Sequence, residues 1–209
     1  MKKIITLLLA LCLLVPSVSF AANKNLEKAY KKEMKKKMKE YEKEGWKLFG
    51  SSRTLEVSLL THYDKLTNLG EDGYEVVGIA SRFKAKNLGK QMAANSAAVN
   101  FAQLAGSKVR GLTDSDMFAS GSDAADEYEH FHAAYERQVQ LEIGNELQES
   151  YSVIRDNGDG TFELQTFYIV NENAAAKARR RAFENAKKET ELGQATADKI
   201  SKFISEHLD

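Results

Sequence analysis

Residues 151–170 read YSVIRDNGDGTFELQTFYIV, two apolar runs joined by six residues of turn-forming type. Whether DNGDGT is a calcium loop or the turn of a hairpin decides how the flanking runs are read. An EF-type loop needs oxygen ligands at positions 1, 3 and 5 and a carboxylate at 12. Counted from Asp156, positions 3 and 5 are Gly158 and Gly160, and position 12 is Phe167. Counted from Asp159, Thr161 and Glu163 already belong to an alternating run. Asn157, Gly158 and Gly160, by contrast, readily supply the positive φ angles of a hairpin loop. Phe162, Leu164, Tyr168 and Val170 then share one face of the second strand, with Glu163 and Gln165 opposite. The stretch is therefore read as a β-hairpin over 147–171.

On the N-terminal side, EDGYEVVGIASRF (71–83) opens with a turn signal and predicts a strand from Tyr74 to about Phe83, covered on both faces because Val76, Val77, Ile79 and Phe83 occupy both. From Asn87 to Val109 an Ala-rich segment predicts a helix. It carries Ala93, Ala97, Phe101, Leu104 and Ala105 on one side, small enough to admit another backbone. GLTDSDMFASGSD (111–123) reads as a flexible connection. Asp123 is placed to cap the following helix, with Asp126 near its positive end, running to Ile143 with Tyr128, Phe131, Tyr135 and Val139 on one side. After the hairpin, a last helical region spans 174–208, with an interruption at Gly193.

Earlier in the chain, Thr54–Leu69 predicts a helix ended by Gly70. WKLFGSS (46–52) reads as a short connector, and residues 22–45 as a charged amphipathic N-terminal helix stopped by Gly45. Its stripe of Leu26, Tyr30, Met34, Met38 and Tyr41 recurs at spacings of four and three, as along a coiled-coil seam. Together these readings give an α+β fold. A three-stranded, mostly antiparallel sheet is packed by long helices in the order α-α-β-α-α-β-β-α, with 46–209 as one domain.

The first 21 residues have the anatomy of a cleaved export signal: Lys2 and Lys3, an apolar core from Ile4 to Val15, a break at Pro16, and Ser19 and Ala21 before the cut. That core is shorter than a spanning helix requires. Cys12, the one cysteine of the chain, lies inside it. Leu11 stands where a lipidation signal wants a small residue, so a lipid anchor is not expected. Cleavage leaves 188 of the 209 residues and no thiol, which rules out disulfides and thiolate chemistry in the mature chain. The formal charge of the whole chain is zero, but residues 22–44 hold nine Lys against five Glu. That is not the strongly basic domain a nucleic-acid binder shows.

Residues that suggest chemistry have plainer explanations. His130 and His132 diverge on a helix, and His62 and His207 lack local partners at metal spacing, so all four read as surface or half-buried histidines. Ser81-x-x-Lys84 has the S-x-x-K spacing of acyl-enzymes, but it ends a strand, where the two side chains point apart. Arg179, Arg180 and Arg181 fan around a helix with stems on apolar neighbours. Asp114, Asp116, Asp123, Asp126, Glu127 and Glu129 read as a solvated loop and helix start. No phosphate loop, nucleophile elbow or zinc helix motif is present. The sequence therefore nominates no catalytic, cofactor-binding or metal-ligating residue.

The stretches AANSAAVNFAQLAGSKVRGL (93–112), SVIRDNGDGTFELQTFYIV (152–170) and AAAKARRRAFENA (174–186) together resemble bacterial envelope lipoproteins of the LPP-twenty type and the N-terminal domain of a flagellar assembly protein. Ahead of them, EGWKLFGSSRTLEVSLLTHYDKL (44–66) resembles uncharacterised exported proteins of Bacteroides-like bacteria. The resemblance implies an α+β domain working in the cell envelope without a defined active site, and the export signal makes it periplasmic or secreted. Expected partners are envelope proteins or cell-wall components, with no nucleic acid and no cofactor; from its residues, the N-terminal helix docks its stripe on the body of the protein or on a partner, and its lysines face water or an anionic lipid surface. The competing expectation is a hydrolase-like or glycan-processing enzyme whose carboxylates meet only in the fold.

Overall fold

The computed structural model describes residues 18–120, 125–190 and 193–207. Six helices and four strands follow in chain order: α1 Val18–Glu44, β1 Lys47–Phe49, α2 Leu55–Leu69, β2 Gly73–Phe83, α3 Lys86–Ser120, α4 Ala125–Gly144, β3 Gln148–Asp156, β4 Phe162–Asn171, α5 Glu172–Thr190 and α6 Gln194–His207. The sheet order is β1-β3-β4-β2, and every neighbouring pair is antiparallel. The α+β class stands. The three-strand expectation does not: Lys47–Phe49, read as a connector, pairs with Ser152–Ile154 and forms the fourth strand. Two further boundaries move. The 111–123 connection is helical through Ser120, and the last helical region is two helices, α5 and α6. The export signal over 1–21 falls almost wholly outside the described residues; its last four lie in the first turn of α1.

The quoted hairpin forms as β3 and β4. Gly158 and Gly160 take φ of 78° and 81°. Both aspartates are used locally: Gly158 N–H donates to Asp156 Oδ1 and Thr161 N–H to Asp159 Oδ1. Side chains alternate along β4 as expected of a pleated strand, and both faces are covered. Leu164 packs with Ala80, Phe83 and Ala93, and Val170 with the helical core of α3 to α6, whereas Phe167 and Ile169 join Tyr151 and Val153 under α1 and α2. The molecule is thus layered as a helix pair, the sheet and a helix group.

The α3 layer sits close against the sheet because residue 78 has no side chain. A Cβ on Gly78 would lie 1.9 Å from the Ala93 carbonyl oxygen and 3.1 Å from Ala97 Cβ. The small alanines predicted to admit a backbone do so here. One turn further along, Ile79 N–H donates to Ser96 Oγ at 3.3 Å, and Asn100 Nδ2 donates to the Val77 carbonyl at 3.4 Å. Leu104, read as part of this packing side, is instead 60% exposed.

On the other face, α2 begins at Thr54, whose side chain accepts from Val57 N–H and so satisfies one open donor of the first turn. Leu59, Tyr63 and Leu66 recur along its buried side, and α1 adds Met34 and Tyr41. Tyr30 and Met38 are half-buried beside them; the side chain of Leu26 lies outside the described residues.

Candidate functional site

The densest polar arrangement lies between α1, α2 and the sheet, around His62. Helical spacing places His62 on the inner side of α2 next to Tyr63, and the imidazole is fully buried. Nδ1 is hydrogen-bonded to Ser150 Oγ at 3.0 Å. Nε2 comes within 2.8 Å of Glu75 Oε2, off the line of the ring N–H, so that contact is electrostatic more than a hydrogen bond. Tyr63, Tyr151 and Phe167 close around the imidazole edge to face, with Tyr63 and Tyr151 each at 5.2 Å between ring centres and Phe167 at 6.4 Å.

Glu75 is delivered by β2. It sits in the run YEVV (74–77), and strand alternation turns it towards α1 and α2 while Tyr74 and Val76 pack on the opposite core. Burial on its own pushes this carboxyl up, but the close contact with His62 and the charge of Lys37 outweigh it, and Glu75 is held below the usual carboxylate range. Lys37 is the lysine of α1 that turns inward. Its Nζ lies 3.8 Å from Glu75 Oε1 and 4.7 Å from the centre of the Phe167 ring. Tyr41 and Tyr151 share a buried hydroxyl contact of 3.2 Å. Burial pushes the Tyr41 phenol up to about 12, and that of Tyr151 higher still.

Ser150, His62 and Glu75 therefore form a chain of hydroxyl, imidazole and carboxylate. In serine hydrolases such a chain works because the hydroxyl faces a pocket beside donors for the oxyanion. Here neither groove described below is lined by Ser150 or His62, and the imidazole is sealed by three rings. The arrangement joins α1, α2, β2 and β3 through one buried polar knot. Its energetic importance lies in being paired, since a buried polar group left alone costs more than the pair gains.

Among the described residues, two surface grooves stand out. The larger, about 800 Å³, runs between α1 and α2; Tyr30, Met34, Leu60 and Tyr63 supply apolar walls, and Glu27, Lys31, Asp64 and Asn68 a polar rim. Tyr30 and Tyr63 stack there with ring centres 5.0 Å apart. The smaller, about 570 Å³, lies between α3, α4 and the start of β3, where Lys90 pairs with Glu149 at 2.9 Å. Trp46 is buried, with the Arg155 guanidinium 4.6 Å from the centre of its ring.

The other residues singled out from the sequence are dispersed. His130 is exposed, while His132 is buried like His62, so two histidines read as surface or half-buried lie in the interior. Arg179, read as solvated, is also buried and pairs with Glu172 at the start of α5. Arg181 bridges Glu142 of α4 and Glu146 in the turn that follows it, and Glu129 pairs with Arg110. Ser81 and Lys84 are exposed around Arg82, which takes a positive φ of 53° at the bulge of β2. The side chains of Asp114, Asp116, Asp123, Asp126, Glu127 and His207 lie outside the described residues. Among the described residues no group of three or more His, Cys, Asp or Glu is arranged to hold a metal ion, and no helix is long and apolar enough to cross a membrane.

Fold and site together define an α+β protein with a sheet covered on both faces and an open groove between two of its helices. No family model, curated protein or solved structure matches the chain.

Proposed function

We propose that this is an exported, non-enzymatic binding or assembly module of the bacterial cell envelope, which holds an amphipathic helical segment of an envelope partner in the groove between α1 and α2. The single observation that carries the reading is the composition of that groove. Two aromatic rings, a methionine and a leucine form its walls, and charged or amide side chains rim it. Leu60 and its neighbour Val57 on the same helix are 43% and 45% exposed. Apolar anchors about one helical turn apart, bordered by polar groups, suit recognition of a helix by a groove. Placement in the envelope is supported by the signal-like residues 1–21 and by the resemblance of the helix–hairpin–helix order to envelope lipoproteins.

A hydrolase or glycan-processing activity is the second reading, and the Ser150–His62–Glu75 chain favours it. Two substitutions separate the readings. With a photo-crosslinking residue at Leu60, the binding reading expects covalent capture in the cell of one amphipathic segment of an envelope protein, lost with Tyr63→Asp in the groove. Capture that is absent, or unchanged by that substitution, together with turnover of a glycan or ester that Ser150→Ala abolishes, reverses the ranking.

A further inference from the structure

Helix α1 separates its charges more completely than its composition suggests. At 3.6 residues per turn, Lys28, Lys32, Lys35, Lys36, Lys39 and Lys43 fall within an arc of about 100°, opposite the side that carries Met34 and Tyr41 onto the body. All six are exposed. The five glutamates stand on the two flanks of that arc, and of the six lysines Lys36 alone is paired within the described residues, at 3.8 Å from Glu40. Glu44 on one flank is engaged by Trp46 Nε1–H and Arg155. The outer side of the helix is thus an unbroken ridge of positive charge from Lys28 to Lys43, about 22 Å long.

We infer that this ridge docks the protein on an anionic lipid surface, with α1 lying flat and its lysines toward the headgroups. Three features choose this occupant. The ridge is convex and carries no aromatic side chain, whereas a single-stranded polyanion is held in a groove with stacking rings. Its cations are all lysine, which act as point charges; recognition of one particular phosphate favours the paired donors of arginine. The apolar side of α1 faces α2, the groove and the sheet, away from the ridge, so contact through the ridge is by charge and not by insertion. A basic segment near an anionic leaflet gains affinity by about fivefold per lysine, and the gain falls within a Debye length. The inference rests on the envelope placement proposed above and not on the groove.

The test uses the protein as recovered from the cell producing it and vesicles of phosphatidylethanolamine containing phosphatidylglycerol, with phosphatidylcholine vesicles as reference. Co-sedimentation with the anionic vesicles is expected, weakened at least tenfold by Lys32→Gln, Lys36→Gln, Lys39→Gln and Lys43→Gln together and abolished by molar salt. Removing the same charge elsewhere, with Lys65→Gln, Lys108→Gln, Lys177→Gln and Lys188→Gln, leaves binding within about twofold. Circular dichroism confirms folding; should the fourfold variant not fold, Lys32→Glu and Lys39→Glu singly serve in its place. Equal loss in both fourfold variants, binding that survives molar salt, or capture of soluble heparin without vesicle binding overturns the inference. Any of those results leaves the groove reading standing, since that is judged by crosslinking at Leu60.

Discussion

Gly78→Ala adds one methyl group where α3 crosses β2, and its effect follows from two distances. The new Cβ would lie 1.9 Å from the Ala93 carbonyl oxygen, against an ordinary approach of about 3.3 Å. The obstacle is helix backbone, so no side-chain rotation relieves it, and α3 must retreat by about 1.4 Å. Inserting a methylene into a packed interior costs about 1–3 kcal/mol, and the upper end applies when the obstacle is main chain. Retreat also breaks the Ser96 and Asn100 hydrogen bonds to β2, at about 0.5 kcal/mol each for bonds of that length. The total is about 3–4 kcal/mol, a fall in Tm of about 10 °C for a chain of this size. The same substitution at Gly111 has the opposite sign. That residue is inside α3, and its Cβ would meet nothing within 4 Å, so Gly111→Ala gains up to about 1 kcal/mol of helix propensity. Urea unfolding followed by far-ultraviolet circular dichroism measures both. A Gly78→Ala loss below about 1 kcal/mol, or no difference between the two variants, refutes the close-packing argument.

Three further outcomes follow from the helix pair and its buried knot. Thr54→Ala removes the cap of α2 and costs about 1 kcal/mol by the same unfolding assay. Leu59→Ala empties a fully buried position beneath α1 and costs about 3 kcal/mol, with an unchanged urea slope. Glu75 has a folded pKa below its unfolded value, so its contribution is complete above the unfolded pKa and disappears as pH falls through the folded one; the stability lost on acidification is smaller in Glu75→Gln. Tyr41 runs the other way. Its phenol is raised to about 12, so its contribution holds below the ordinary value of 10 and is lost as pH rises towards 12, which tyrosinate absorbance follows alongside unfolding.

The sequence was most readable where local chemistry and pattern agree. Asn157, Gly158 and Gly160 announce a turn, the residues on either side alternate, and the hairpin forms at that place. The helix read over Thr54–Leu69 and ended by Gly70 forms as Leu55–Leu69, with Thr54 moved one step out to become its cap. Lys47–Phe49 is different, because three residues carry no usable period and become a strand only when β3 offers an edge. Residues 111–120 look like a loop by their Gly, Ser and Asp content, yet continue a helix already under way, where extension is cheaper than nucleation. His62 was the least readable. Its partners Ser150 and Glu75 come from β3 and β2, so nothing near it in the chain signals a buried imidazole. Glu75 between Tyr74 and Val76 was the available hint, a charge inside an apolar run.

The hydrogen bonds from Ser96 and Asn100 bear on how the molecule behaves in company. β2 is the long outer margin of the sheet, and open margins of that kind recruit strands from other chains. Here the outward amide of Ile79 and carbonyl of Val77 already have partners from α3, and the opposite margin, β1, is three residues long. A foreign strand would have to evict a helix on one side and would find too little length on the other. Along the middle of β2, strand addition by another chain is therefore opposed by α3.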